Sequence, residues 1–413
     1  MAMNLPNLQI EPVIEPQSSM DMSESTLRFG EMSLSAQSLR VAGQSLTMEV
    51  TQADLVMGKR IGSGACSSVF VGTHRRTGEC FAVKTFNVYD RDRKKQFEKE
   101  LGVLLHFNCD CLVSFFGVSY HEGTVGLILE FMDCGSLDCI MDPRIHVTEP
   151  VLAAITYQIL WGLCYLHHDH NIHRDLKPGN VLMNSNGEVK LSDFGIFRSL
   201  ADTVATSETF TGTYKFMSPE RLEGKSYNET ADIWSLGVMV LQLWAKKYPF
   251  ERGAFSPLEL VDVLENTDMK TFTPPSIFPP GLAGFALTML EVDPSKRIDA
   301  FSLIEHEWIR ANNITSVDVA QEIVAGWIAR AFPDRKPGHF TPPSLSSTHL
   351  ESKWAKDEAG SGDESDRGGR GQSSKDTDES EVDYEDKRKT GIVAEGKFSD
   401  DEADSYSGHR GFK

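Results

Sequence analysis

Between Ile172 and Leu182 the sequence reads Ile-His-Arg-Asp-Leu-Lys-Pro-Gly-Asn-Val-Leu, and Ser192-Asp193-Phe194-Gly195 follows shortly after. Asp175 is a carboxylate able to accept a proton, Lys177 is a positive charge two residues on, and Asn180 and Asp193 offer the hard oxygen atoms that Mg2+ prefers. Phosphoryl transfer asks for residues of these types. It needs an aimed hydroxyl, a held polyphosphate and positive charge where negative charge builds up, and little covalent chemistry from the protein. An aspartate and an asparagine in a polar loop mean nothing alone. The joint occurrence of His-Arg-Asp, Lys, Asn and Asp-Phe-Gly is what carries information. His173 and Phe194 read as packing residues, since a phenylalanine can do neither acid nor base work.

The chain around this cluster is 413 residues long, enough for about two domains or for one domain with long tails. Its 60 acidic against 41 basic residues leave a net charge of -19 and argue against a nucleic-acid binder, which needs clustered Lys and Arg. No uninterrupted run of apolar residues is long enough to span a membrane. The start, Met-Ala-Met-Asn-Leu-Pro, lacks the charged and apolar regions of a secretory leader, so a cytoplasmic location, with access to the nucleus, is expected. The seven cysteines (Cys66, Cys80, Cys109, Cys111, Cys134, Cys139 and Cys164) are odd in number and lack paired metal-site spacing, so they read as reduced thiols.

Several elements must position the cluster. Residues 1–52 are rich in Ser, Met, Gln and Glu without a sustained period, and read as a flexible N-terminal arm able to fold onto the domain behind it. A compact domain is expected over 53–310. It opens with β-branched and aromatic strands at Ile61–Phe70 and Phe81–Lys84, broken by glycines and by a turn at Thr77-Gly78. A helix capped by Thr148 carries Leu152, Ile155, Ile159, Leu163 and Leu166 at steps of three or four and leads to the cluster. Another buried helix opens at Ala231-Asp232-Ile-Trp. Asp232 reads as a tie for the backbone of the 172–182 loop, and Glu220 and Arg297 as an ion pair. Over 311–332, Val317, Ala320, Ile323, Val324, Trp327, Ile328 and Ala331 recur at helical spacing. From 333 to 413 the chain turns to Gly, Ser, Asp and Glu; over 351–413 it holds 18 acidic and 11 basic residues with few large apolar groups, the composition of a disordered acidic tail.

The stretches 172–182 and 192–195 resemble the catalytic loop and metal-binding turn of the protein kinases. The resemblance implies an α+β fold of two lobes, a small antiparallel β lobe with one regulatory helix and a large, mostly helical lobe, and it implies ATP and Mg2+ as cofactors. Asp175 would then orient the attacking hydroxyl and take its proton, Lys177 would balance charge on the transferred group, and Asn180 and Asp193 would hold Mg2+. Gly62 and Gly64 would let backbone amides approach the phosphates, although Ser67 stands where the third glycine of the pattern belongs. Lys84 would meet the α- and β-phosphates and needs a carboxylate to hold it. Of Glu98 and Glu100, Glu100 lies beside the apolar face formed by Leu101, Leu104 and Leu105 and is placed there. Ile61, Val69, Ala82 and Leu182 would enclose adenine, with Leu129 as gatekeeper and the Glu130 carbonyl and Met132 amide as its hinge partners.

Lys177, Gly212-Thr213, Phe216-Met-Ser-Pro-Glu-Arg-Leu222, Gly135-Ser-Leu-Asp138 and Ile233-Trp-Ser-Leu-Gly237 narrow this to a resemblance, over roughly 50–330, to the mitogen-activated protein kinase kinases. That implies dual specificity: phosphorylation of Thr and Tyr in a MAP kinase substrate, and activation by an upstream MAP kinase kinase kinase. The loop spacing is similar to the plant type and puts the regulatory phosphates on Thr203 and Thr209, with Arg174 as partner; Thr206, Ser207 and Thr211 are the other candidate sites. The 311–332 segment resembles a docking helix for the upstream kinase; a helix merely packed on the large lobe is the other reading. A basic docking cluster is missing from the N-terminus, which holds only Arg28 and Arg40, and Lys387-Arg-Lys389 is a substitute in the tail. A monomer is expected. The alternatives are a kinase of another tier, or a silent scaffold, which Lys84, Glu100, Asp175, Asn180 and Asp193 together disfavour.

Overall fold

The computed structural model describes residues 22–23, 26–29, 32–35, 39–41, 44–46, 50–63, 67–87, 101, 104, 105, 107, 109–121, 123–193, 213–250 and 256–333. The chain divides into units Met1–Asp357 and Glu358–Lys413, and all described residues belong to the first.

The N-terminal arm, expected to be flexible and able to fold onto the domain behind it, carries a short sheet over 22–46. Strands β1 (Met22–Ser23), β2 (Thr26–Phe29), β3 (Met32–Ser35), β4 (Leu39–Val41) and β5 (Gln44–Leu46) form an antiparallel meander in chain order. Strands of two to four residues are too short to show a period of two, which is why the segment looks patternless. Leu34 on β3 is fully buried in a core that also holds Leu101, Leu104, Val118 and Tyr120.

The small lobe follows: β6 (Leu55–Ser63), β7 (Ser67–His74), β8 (Cys80–Asn87), β9 (Phe115–His121) and β10 (Thr124–Glu130), antiparallel in the order β6-β7-β8-β10-β9. Gly78 takes φ 78° in the β7–β8 turn, where the Thr77 amide donates to His74 Nδ1 at 3.1 Å. Alternation sorts β8 into two faces. Phe81 and Val83 pack with Leu55, Val50 and Ile128 on one face. Lys84 lies on the other face, because it pairs across with Val69 and Leu127, as Ala82 does with Val71 and Leu129, and Phe86 and Leu127 join the Leu101 and Leu104 core. Strand register thus carries Lys84 to the side of the helix that includes Leu101.

The large lobe is built on α1 (Glu149–His168), with 15 of its 20 residues buried. α1 is apolar and long enough to cross a membrane by composition, but it is the core helix of this lobe, enclosed on nearly every side. Thr148 occupies the position before it, yet makes no side-chain cap; its carbonyl accepts from the Leu152 amide. A three-stranded sheet, β11 (Gly135–Ser136), β12 (Val181–Met183) and β13 (Val189–Leu191), lies against α1. Then come α2 (Pro219–Leu222), α3 (Thr230–Ala245), α4 (Pro257–Asn266), α5 (Pro280–Met289), α6 (Ala300–Ile304) and α7 (Glu307–Ala311).

The chain closes on α8 (Val317–Ala331), capped by Ser316 Oγ accepting from the Val319 amide at 3.3 Å. α8 packs along α1, burying Val317, Ala320, Val324, Trp327 and Ile328, and Trp327 Nε1 donates to the His146 carbonyl at 2.9 Å. The packed-helix reading of this segment is therefore a structural fact. Asp318, Glu322, Ala329 and Arg330 form its exposed side.

Candidate active site

The catalytic-loop residues converge as follows. Asp175 Oδ2 receives Lys177 Nζ at 2.9 Å and Asn180 Nδ2 at 2.9 Å, and the same amide nitrogen donates to the Asp175 carbonyl at 2.7 Å. These bonds turn the Asn180 nitrogen toward Asp175, so Oδ1 is the atom left for a cation. The Asn180 carbonyl in turn accepts from the Ser192 amide at 2.9 Å and hydroxyl at 3.1 Å, which sets Asp193 beside the loop.

Lys84 Nζ reaches Asp193 Oδ1 at 2.5 Å, joining the lobes across the site. Burial pushes the Asp193 carboxyl up, but the Lys84 charge and hydrogen bond, with His173 and Lys177, outweigh it and hold the group below its usual range. Its side chain is still 47 % exposed, so a ligand can reach the oxygens. Asp193 stands at φ 53° and Arg174 at φ 67°, left-handed conformations costly for residues with a Cβ and typical of functional turns. Asn180 Oδ1 and the Asp193 carboxylate supply hard oxygen atoms of the kind that suit a divalent cation such as Mg2+.

The loop backbone is held by Asp232, which accepts from the amides of His173 at 2.7 Å and Arg174 at 2.9 Å and from His167 Nε2 at 3.0 Å. Burial would raise this carboxyl; the His167 bond and charge, His173 and the Arg174 amide outweigh that and keep it low. His173 is a packing group. Its Nε2 donates to the Ser192 carbonyl at 3.1 Å and its Nδ1 accepts from the Asp175 amide at 3.3 Å, the bonding pattern of a neutral ring. Burial depresses its pKa, against the pull of Asp232 and Asp175.

Glu220 and Arg297 form a bidentate pair at 2.8 and 3.0 Å, and the Arg297 guanidinium also lies 5.2 Å from the Trp234 ring. On the nucleotide side, Gly62 pairs with Val69, and Val69, Ala82, Leu129 and Leu182 are each partly buried. Ile61 is 43 % exposed and Met132 is buried. Gly64, Cys66, Glu98, Glu100, Phe194, Thr203 and Thr209 lie outside the described residues, as do the Lys387–Lys389 run and the tail.

Two features were not read from the sequence. Glu130 enters the expectation through its carbonyl, but its buried side chain pairs with Lys190 Nζ at 2.9 Å and accepts from the Ser114 amide at 3.2 Å. Burial alone would depress the Lys190 ammonium; Glu130 and Glu188 outweigh it and raise its pKa. The available signal was a lysine between Val189 and Leu191 in a strand with no exposed face. The second is Arg221, whose Nη1 donates to the Arg174 carbonyl at 2.8 Å. The described cysteines are free thiols; the hydrogen bond with Cys109, and then burial, pushes the Cys111 thiol up, and burial pushes that of Cys164 up.

A family model for the protein kinase domain matches residues 55–309. The chain is 38 % identical over 275 residues to mitogen-activated protein kinase kinase 1 of Arabidopsis thaliana, covering 65 % of this chain and 77 % of the relative. It is 32 % identical over 371 residues to the dual specificity mitogen-activated protein kinase kinase dSOR1 of Drosophila melanogaster, covering 82 % and 89 %. With the mitogen-activated protein kinase kinase SIPKK of Nicotiana tabacum it shares 32 % identity over 334 residues, covering 76 % and 93 %.

Proposed function

This chain belongs to the mitogen-activated protein kinase kinases, within the protein kinase family, and on that premise we propose that it phosphorylates a threonine and a tyrosine in the activation loop of a MAP kinase. The supporting observation is the Asp175–Lys177–Asn180 cluster, set beside a Lys84–Asp193 bridge between the lobes. Asp175 orients the acceptor hydroxyl and takes its proton. Lys177, held on Asp175, balances charge on the group in flight. Lys84 steadies the α- and β-phosphates, with Glu100 as its second anchor. Asn180 Oδ1 and Asp193 hold Mg2+, which when bound neutralises charge on the β- and γ-phosphates. Ile61, Val69, Ala82, Leu129 and Leu182 enclose the adenine, the Glu130 carbonyl and Met132 amide pair with its edge, and Gly62 and Gly64 admit the phosphates.

The enzyme is itself switched on when an upstream kinase phosphorylates Thr203 and Thr209. Each phosphate brings a charge of about -1.5 to -2 that Arg174 can pair with. The exposed side of α8, bearing Asp318 and Glu322, is a docking face for that activator. Mass spectrometry of catalytically dead MAP kinases, incubated with a Thr203→Glu/Thr209→Glu variant and ATP, tests the activity. Paired Thr and Tyr phosphorylation is expected; modification at scattered Ser and Thr alone would refute it. Thr203→Ala/Thr209→Ala should resist activation by the upstream kinase.

A further inference from the structure

We propose that Arg221 is a positioning residue for the catalytic base, fixing the peptide bond that leads into Asp175 and so tying that base to α2. The proposal rests on the assignment of Asp175 above. Arg174 sits at φ 67°, a conformation that side-chain-bearing residues avoid unless neighbours impose it. Its own amide is taken by Asp232 at 2.9 Å. The peptide between residues 174 and 175 is then gripped at both ends: Arg221 Nη1 donates to its carbonyl at 2.8 Å, and its amide donates to His173 Nδ1 at 3.3 Å. The Arg221 bond is the shorter of these two contacts, so its loss loosens the carbonyl end of that peptide plane. Rotation of the plane swings Asp175.

The arginine is built for this task. It is 6 % exposed, and its guanidinium lies 5.1 Å from the Tyr227 ring, which also faces the Arg174 guanidinium at 5.7 Å. A buried guanidinium costs desolvation free energy, so its placement against one backbone carbonyl has to be repaid by geometry. Arg221 lies on α2 next to Glu220, and Glu220 is clamped by Arg297 at 2.8 and 3.0 Å. A continuous chain of contacts thus runs from Arg297, through Glu220 and Arg221 on α2, to the carbonyl preceding Asp175. Asp232 holds the loop from its amide side; Arg221 holds it from its carbonyl side.

The test uses the full chain carrying Thr203→Glu/Thr209→Glu, with phosphorylation of a catalytically dead MAP kinase as readout. Arg221→Met keeps length and bulk but removes the donor, Arg221→Lys restores a charged donor, Asp175→Asn checks the underlying assignment, and Leu282→Ala is a remote core variant matched for lost stability. Arg221→Met should lower kcat roughly 10- to 100-fold with KM for ATP within about twofold, and Arg221→Lys should recover part of the loss. Leu282→Ala should melt earlier yet keep kcat at temperatures where it is folded. Unchanged kcat in Arg221→Met, with Asp175→Asn inactive, overturns the proposal and spares the assignment. Parallel losses of kcat, ATP affinity and melting temperature, not repaired by Arg221→Lys, reduce Arg221 to a structural residue and also overturn it. Full activity in Asp175→Asn overturns the assignment itself.

Discussion

Gly187 offers the sharpest structural prediction, because one methyl group there should separate α8 from the lobe it covers. The residue closes the β12–β13 turn at φ 87°, and a Cβ built on it would stand 2.0 Å from the Gln321 carbonyl oxygen and 2.6 Å from the Ala325 amide nitrogen. Both atoms are helix backbone and cannot swing aside. Gly187→Ala therefore carries about 1–2 kcal/mol for the left-handed conformation. Overpacking adds roughly 1–3 kcal/mol or more, unless α8 lifts away and exposes Val324, Trp327 and Ile328. Gln158 makes the turn hard to relax, since its Nε2 donates to the Gly187 carbonyl at 3.1 Å and its Oε1 accepts from the Val189 amide at 2.9 Å. At about 2–4 °C per kcal/mol for a domain of this size, the melting temperature should drop by roughly 4–20 °C. Limited proteolysis should cut within 317–331 before the rest of the lobe. Gly284→Ala is the internal control: nothing lies within 4 Å of its Cβ position, and it sits in a helix, so it should be neutral or stabilise by up to ~1 kcal/mol. Equal melting temperatures and equal protease resistance for wild type and Gly187→Ala would refute the close packing of α8 on this turn.

Two further outcomes follow from buried charge. Lys190→Met should cost about 3–5 kcal/mol by stranding Glu130 in the core, while Lys190→Met/Glu130→Met should recover most of it; urea unfolding of the single and double variants measures both, and a double variant no better than the single would contradict the pairing. Stability should also fall in acid in two stages. His173 and His306 have folded pKa values below their unfolded 6.5, so the unfolded chain binds more protons and stability drops as pH falls below about 6.5; Glu220 and Asp232, depressed from 4.5 and 3.8, add their loss at lower pH. Urea midpoints between pH 8 and 2.5 read both stages, and a flat profile from 7 to 5 would exclude the neutral, buried His173.

What the sequence disclosed and what it withheld divide by the range of the interaction. Asp175, Lys177 and Asn180 fall within six residues, so their contacts are nearly dictated by the loop that bears them. Lys84 was placed by its resemblance to the kinase pattern, with Glu100 as its expected anchor; its bridge to Asp193 spans 109 positions and was not read from the sequence. Asp232 and the Glu220–Arg297 pair were legible because a carboxylate or guanidinium inside an apolar helix or loop must find a partner. The Lys190–Glu130 pair spans 60 positions and joins two strands that each look apolar, so neither residue announced the other. Arg221 bonds to a carbonyl, and a backbone acceptor leaves no trace in composition. The meander over 22–46 escaped because its strands are too short for a period and its described anchor in the core is the single side chain of Leu34. Thr148 shows the opposite error: the residue type is right for a cap and the helix begins where it should, yet the hydroxyl makes no cap bond.

The most direct test of the account is a paired measurement on Asp175→Asn: nucleotide affinity by equilibrium titration, and the rate of phosphoryl transfer to a catalytically dead MAP kinase at saturating ATP. Asparagine keeps the size of the side chain and the neighbouring Lys177, Asn180 and Asp193 but cannot accept the acceptor's proton. ATP affinity close to wild type with transfer reduced at least ~100-fold is the predicted result. Transfer at the wild-type rate with nucleotide still bound would contradict it, since the residue on which the site is built would then have no part in the chemistry.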